Sequence, residues 1–435
     1  MKASIIAIGL LISINFLYSQ EEKSVKTLTL GEAVSTAFQQ HPILKSSEYL
    51  VDAARFKVQQ VKSGYFPQLI FNTSYTRWDW ILPNKRIFLG NSLDDIYAEF
   101  SLQQLIYSGG KTSLQYDIAQ NNVSLESLNN RRLQQSIAFS VTRSYLLLLK
   151  AERLVKVQEF AVANLREHAA MANLLYQSGK VSQLDVLKAQ TQLALANEEL
   201  VKAQNAVTIR RHELLGAMGI DSTFAFQTVD FVESLWEHEK EKMYNEDSLL
   251  TILEYHPDLE KARVDAQGKE VEVSLAGSDY YPTVFLKGIY NWESSQIPPG
   301  HKNWNVGIGL SFPIYQGWAT SSAVQQAQAR FQASSSTVQA VRQKLIVAIR
   351  SSLINIYDTR SRVKSAKETM QLAEETEKVA NLKYRTGKGT SLDVLDAELL
   401  LTNSRINYTQ VLTDYAIAVA ELYYNIGSSE LPFKE

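Results

Sequence analysis

The sequence predicts an internally duplicated α+β membrane protein in which pairs of β-strands stand at the roots of very long helical hairpins. Three observations predict it. Tyr176, Gly179, Lys180 and Leu184-Asp185-Val186-Leu187 recur as Tyr384, Gly387, Lys388 and Leu392-Asp393-Val394-Leu395, and 384 − 176 = 208 residues separate the copies. Each copy interrupts a long helical pattern: the glycine turns the chain and the Leu-Asp-Val-Leu run opens a return helix. Apolar residues alternate with polar ones at period two ahead of each long helix, and heptad seams run along the helices themselves.

Composition narrows the class. The chain has 435 residues, no cysteine and a formal net charge of −2. A near-neutral chain lacks the basic face that nucleic acid requires. Without cysteine there is no disulfide framework, no thiolate metal site and no lipid-modified N-terminal Cys. The six histidines show no paired ligand spacing, which gives His41 and His256 no metal role and the chain no expected cofactor. Residues 1–19 read as a signal peptide: Lys2 is the charged start, Ile5 to Leu17 the apolar core, and Ser19 precedes polar Gln20. No later segment is apolar enough for a spanning helix, so an exported chain that crosses a membrane does so with strands.

The repeat organises the rest. His41-Pro42 matches His256-Pro257 and Tyr65-Phe66-Pro67 matches Tyr280-Tyr281-Pro282, both at 256 − 41 = 215 residues. Leu105-Ile106-Tyr107-Ser108-Gly109 matches Pro313-Ile314-Tyr315-Gln316-Gly317, and Met218-Gly219 matches Ile426-Gly427, both at 427 − 219 = 208. The chain therefore divides into residues 20–220, a first repeat with strand pair 66–107 and tip 176–187, and residues 248–435, a second with strand pair 281–315 and tip 384–396. The stretch 221–247 between them has no counterpart and is expected to be an irregular equatorial insert packed outside the helices.

Each repeat opens with two helices. Thr29 and Glu32 have capping-box spacing ahead of 33–40, and a second helix is expected over 43–62; the second copy repeats this over 247–255 and 258–277. Each His-Pro pair falls between two helices, where proline disfavours helix at the residue before it.

The strands follow. In 95–107, Ile96, Ala98, Phe100 and Leu102 face one way and Glu99, Ser101 and Gln103 the other. In 303–315, Trp304, Val306, Ile308, Leu310, Phe312 and Ile314 alternate with polar residues or glycine. Their partners are 67–80, with Leu69, Phe71 and Tyr75 outward, and 283–292, with Val284, Leu286, Tyr290 and Trp292 outward. Aromatic residues gather at strand ends: Trp78, Trp80, Tyr107, Trp292, Trp304 and Tyr315. This is the pattern of a membrane β-barrel. Four strands are too few to close one, because the smallest have about eight. Copies of the chain must pool strands in a ring, two giving 2 × 4 = 8 or three giving 3 × 4 = 12.

The long helices are expected over 111–176 and 319–384, each roughly 100 Å. One seam runs Val141, Leu148, Val155, Val162, Ala169, Tyr176, and its copy Ile349, Ile356, Val363, Met370, Glu377, Tyr384. Small residues such as Ala151, Ala172, Ala189 and Ala397 permit close helix approach.

With these residues in place the chain resembles the TolC family of outer-membrane efflux proteins over essentially its whole mature length. The duplicated tips, the Leu30–Pro42 opening and the Tyr-x-Gly strand-to-helix junctions at Tyr107–Gly109 and Tyr315–Gly317 carry the resemblance. It implies a homotrimer with a 12-stranded outer-membrane β-barrel, four strands per chain, continuous with a long periplasmic α-helical coiled-coil barrel. It also implies partners: a periplasmic adaptor (membrane fusion) protein docked on the tips, an inner-membrane pump of RND or ABC type, and outer-membrane lipid.

The same resemblance assigns site residues. Asp393 and Asp396 match the acidic rings that narrow the periplasmic entrance, and Tyr384 matches a latch position. Gly179, Lys180, Gly387 and Lys388 at the tips are the expected adaptor contacts. Ser182–Asp185 and Thr390–Asp393 also have capping-box form, so Asp393 reads equally as a helix cap. Asp396 stands opposite Lys188 in the repeat, which leaves it either a ring residue or a charge on a solvated helix face. Relatives carry a basic latch residue two positions after the second tip glycine; here that position is Gly389. No nucleophile constellation, phosphate loop or metal cluster is present, so the expected function is not enzymatic. It is that of an exit duct for tripartite efflux or type I secretion. The rival reading is a periplasmic coiled-coil scaffold without a pore.

Overall fold

The computed structural model describes residues 26–220, 226–297, 300–428 and Phe433. The expected signal peptide lies outside the described residues. In order, the elements are β1 (26–28), α1 (30–40), α2 (42–62), β2 (68–77), α3 (86–89), β3 (94–108), α4 (111–177), α5 (183–218), β4 (226–228), α6 (232–239), α7 (246–252), α8 (257–277), β5 (283–294), β6 (301–311), α9 (319–385) and α10 (391–425), with single 3-10 turns after α2, α7 and α8. None of the described helices is long and apolar enough to cross a membrane.

Four strands form one antiparallel sheet in the order β2-β3-β5-β6. Residues directly opposite one another point to the same side of a sheet. Register pairs Leu69 with Leu102, Phe71 with Phe100 and Tyr75 with Ile96. It continues Phe100 to Tyr290 and Ala98 to Trp292, then Tyr290 to Trp304, Leu286 to Ile308 and Val284 to Leu310. One face is therefore apolar across all four strands, and Phe71, Phe100, Trp292 and Tyr290 form a row of ring contacts along it. In the single chain this face is bare: Trp304, Val306, Ile308 and Leu310 are 70%, 65%, 78% and 68% exposed. The opposite face carries Glu99, Ser101, Gln103, Asn291 and Asn305. The last strand is shorter than the alternation suggests and stops at Ser311, not Tyr315. Ser311 pairs with Thr283, where β5 begins, and Pro313 has no N–H to extend the ladder.

The connection from β2 to β3 folds over the polar face at the end of the sheet remote from the helices. Lys85 pairs with Asp95 at 3.2 Å and with Glu293, both carboxylates being almost wholly buried. The Trp78 indole donates to Asp95 at 3.2 Å, and Leu89 is buried beneath the connection.

The helices pack as a row, α5–α4–α10–α9, with α2 and α8 laid against the upper part of α4 and, for α8, α9. At 67 residues each, α4 and α9 run to about 100 Å. Side chains along the α4, α9 and α10 seams, among them Val141, Leu148, Ile349, Ile356, Val411 and Leu422, are buried.

The two histidines between helices act as N-caps. His41 Nδ1 accepts from the Ile43 N–H at 3.3 Å, and His256 Nδ1 from the Asp258 N–H at 3.1 Å. Each is covered by a left-handed glycine at the end of a return helix. A Cβ on Gly219 would lie 2.9 Å from His41 Cα, and one on Gly427 would lie 2.8 Å from His256 Cδ2. The His-Pro and Met/Ile-Gly motifs, read separately in sequence, are thus one packing unit at each site.

The insert is not irregular, as its sequence suggested. It holds β4, paired in parallel with β1, and the two-turn helix α6. Tyr145 of α4 is fully buried; its hydroxyl donates to the Leu28 carbonyl and accepts from the Val229 N–H, both at 2.8 Å. Trp236 meets Tyr415 edge-on at 5.2 Å, and Arg153 holds Asp230 through two nitrogens at 2.6 and 3.0 Å. An aromatic and an ionic anchor thus fasten the insert to α10 and α4, on one face of the helix row.

Candidate functional site: the helical tips

Both long helices end alike. Gly179 and Gly387 take left-handed φ values of 68° and 71°. The N–H of the following residue reaches back five positions, Lys180 to Leu175 and Lys388 to Lys383, which satisfies a terminal carbonyl. Gly179, Lys180, Gly387 and Lys388 are all exposed, at the extreme end of the helix row.

The return helices begin with full capping boxes. Ser182 and Asp185 exchange bonds at the first tip, and Thr390 and Asp393 do so at the second, where Asp393 Oδ2 accepts from the Thr390 N–H at 2.8 Å. The Thr390 backbone and hydroxyl hydrogen bonds hold the Asp393 carboxyl below the usual carboxylate range. Asp393 is therefore a cap whatever else it does. Its side chain remains exposed, as does that of Asp396 three residues on, so the two carboxylates neighbour each other on one helix face.

Tyr384 is placed differently from its repeat partner. Tyr176 is 42% exposed, whereas Tyr384 is 4% exposed. Its ring tilts against His168 of α4 at 5.0 Å and packs with Ala380, Val394 and Ala397. His168 Nε2 lies 3.0 Å from the Ser391 hydroxyl, and burial pushes the imidazole pKa down, which keeps it neutral. This contact joins the first hairpin to the start of α10. Arg385, next to Tyr384, pairs with Glu167 on α4 and adds a second link.

Gly389 lies folded over the last turn of α9. Its N–H donates to the Lys383 carbonyl at 3.1 Å, and an added Cβ would stand 3.0 Å from Lys383 Cβ. Any side chain at 389 would be crowded there. The basic group near this seam comes instead from Arg385.

Sequence reading missed His168, Ser391, Arg385 and Glu167, because 391 − 168 = 223 residues separate the hydrogen-bonded pair. One signal was available: at offset 208 the counterpart of His168 is Thr376, so the second hairpin has no second copy of this polar contact. Among the described residues no group of histidines and carboxylates is arranged to hold a metal ion.

Comparison with known proteins fits this geometry. The outer membrane efflux protein family model matches residues 33–220 and 249–428. The TolC protein of Vibrio cholerae is 23% identical over 419 residues, covering 92% of this chain and 90% of its own. The cobalt-zinc-cadmium resistance protein CzcC of Cupriavidus metallidurans is 24% identical over 70% of this chain and 71% of its own. Among solved structures, CusC superposes with a TM-score of 0.80 at 18% identity, covering 92% of both chains. The open-state MtrE channel of Neisseria gonorrhoeae gives 0.74 at 15% identity, covering 92% of this chain and 89% of its own. These likenesses in solved structures establish the fold, and the family match over most of the chain establishes its kinship: the chain belongs to the outer membrane efflux protein family, channels of the outer membrane that extend into the periplasm.

Proposed function

We propose that three copies of this chain form a closed exit duct of a tripartite efflux or type I secretion system. The observation that carries this reading is that the chain is open at both flanks on two levels. In the sheet, β2 and β6 each present a free edge, and their opposite directions allow an antiparallel junction between the β6 of one copy and the β2 of the next. Long free edges of this kind require a partner. In the helix row, α5 and α9 are the flanks, and both carry exposed apolar residues: Leu187, Leu195, Val201 and Ile209 on one, Val347, Ile354, Leu372 and Val379 on the other. Head-to-tail joining of such flanks generates a ring. Three copies give 3 × 4 = 12 strands, enough to enclose an aqueous channel.

In that ring the bare apolar face of the sheet meets lipid and the polar face lines the duct. Asp393 and Asp396 of three chains form two acidic rings at the entrance, favouring cations there, and Tyr384 latches the closed seam. Gly179, Lys180, Gly387 and Lys388 dock a periplasmic adaptor protein, which couples the duct to an inner-membrane pump of RND or ABC type. The insert rides on the equator of the helical barrel. The duct opens by untwisting its tip hairpins, and it performs no chemistry.

Electron microscopy of detergent-purified protein tests the assembly, with a three-fold particle and a continuous tunnel as the expected result. Planar-bilayer recording tests the duct, and cross-linking from Lys180 and Lys388 in intact cells tests adaptor docking. A monomeric protein that stays soluble without detergent would sink the reading in favour of a poreless scaffold.

A further inference from the structure

Glu377 interrupts the apolar seam of α9 where the first repeat has Ala169, and Glu398 of α10 stands where it has Gln190. Glu398 is 3% exposed, and its Oε1 has no hydrogen-bond partner. It lies where helices of both hairpins converge, about one and a half turns from Asp393. Asn164 of α4 and Glu377 of α9 are within reach of its carboxyl, and the Arg405 charge on α10 also acts on it.

The nearby cation, Arg405, opposes the shift but is committed to other partners. On α9, Glu374 holds the Arg405 guanidinium of α10 at 2.8 Å, and that guanidinium also lies 4.0 Å from the Phe160 ring centre. On α5, Glu199 lines the same groove and adds negative charge. On α4, Glu167 is engaged by Arg385 and His168 is neutral. Glu377 is only half-buried and accepts from the Asn381 amide, whereas Glu398 is cut off from solvent, so ionising Glu398 costs desolvation and sets its charge against Glu377. Burial, with the Glu377 charge next, pushes Glu398 up to about 7.

We propose that Glu398, facing Glu377 across the seam, acts as a proton-operated clasp on the second hairpin, tight when protonated and loosened when its proton leaves to water. Deprotonation puts a second negative charge in the seam, which α9 and α10 relieve by parting. The start of α10 also carries Ser391 and Asp393, so parting there frees the entrance. The clasp rests on the duct reading above.

Purified full-length protein in planar bilayers at pH 6 and pH 8 tests it. The wild type is expected to open several-fold more often at pH 8. Glu398→Gln, a neutral isostere, is expected to stay closed at both pH values. A wild-type pH profile in that variant overturns the proposal. A carboxyl infrared band titrated in detergent gives a readout independent of conduction: it is expected to disappear as pH rises through 7 and to be missing from Glu398→Gln. Absence of such a band in the wild type overturns the clasp even in a conducting channel. Absence of conductance at any pH, with the band present, overturns the duct, and with it the gating role, while the buried titrating carboxyl stands. Should Glu398→Gln misfold by circular dichroism, Glu377→Gln serves instead. It removes the neighbouring charge and is expected to shift the midpoint to lower pH, and an unshifted midpoint overturns the clasp.

Discussion

Arg385, the last residue of α9, lays its guanidinium on Glu167 of α4 and so ties the second tip to the first hairpin. One residue earlier, Tyr384 makes the same crossing with a buried ring. The two links differ in weight. Arg385 and Glu167 are 53% and 64% exposed, and an ion pair so open to solvent contributes about 0–1 kcal/mol. Truncating a buried aromatic costs about 3–5 kcal/mol.

Tyr384→Ala is therefore expected to enlarge basal conductance much more than Arg385→Ala. The Arg385→Ala effect should also fade in high salt, which screens exposed charge. Planar-bilayer recordings of both variants at low and high salt check this. Equal effects would show that the buried ring is not the principal latch.

The two tip carboxylates separate by the same reasoning. Asp393 caps α10, so Asp393→Asn weakens both the helix start and any ring it forms. Asp396 has an exposed side chain, so Asp396→Asn is expected to leave the melting temperature unchanged while lowering cation selectivity. Reversal potentials across a salt gradient, measured beside thermal melts, make the distinction. Unchanged selectivity in Asp396→Asn would return it to a plain helix-face charge.

His256 supplies a pH dependence of known sign. Burial, then the Arg132 charge, brings its pKa from 6.5 down to about 4. The unfolded chain then binds more protons than the native chain between those values, so this site's stability is complete above 6.5 and is lost as pH falls toward 4. Glu398, with its raised pKa, works in the opposite sense and is stabilising at low pH. His256→Asn keeps an N-cap and removes the titration. Its melting temperature is expected to fall less than that of the wild type between pH 7 and pH 5, whereas a parallel fall would remove His256 from the account.

What the sequence disclosed and what it withheld divide along physical lines. The lipid-type alternation was legible because strand period is two and register preserves parity, so Phe71, Phe100, Tyr290 and Trp304 had to share a face. The tips were legible because Gly179 and Gly387 need a left-handed turn. The helix in the insert was hidden, since two turns around Val232, Leu235 and Trp236 acquire a periodicity only once Tyr415 covers them. Asp393 was ambiguous because one carboxylate serves as cap and as charge, and the cap does not exclude the charge. The link from His168 to Ser391 was invisible, because nothing local in either residue announces a partner on another hairpin.

The outer end of the sheet offers a last expectation. Lys85 bridges Asp95 and Glu293, whose side chains are 5% and 10% exposed, and so pins the connection from β2 to β3 over the polar face. Removing one member of a buried ionic group strands the others, at a cost of about 3–5 kcal/mol. With Lys85→Met two carboxylates lose their shared cation while the stem volume is kept. The connection can relieve this without unfolding the sheet, because its own packing is modest and Leu89 is its main buried side chain. Local release rather than global melting is therefore the expected outcome. Arg86 then becomes a trypsin site, with cleavage appearing at protease levels that leave the wild type whole and with the melting temperature of the helical part unchanged. Protection of Arg86 in Lys85→Met would show that Trp78 and Leu89 hold the connection without the ionic bridge.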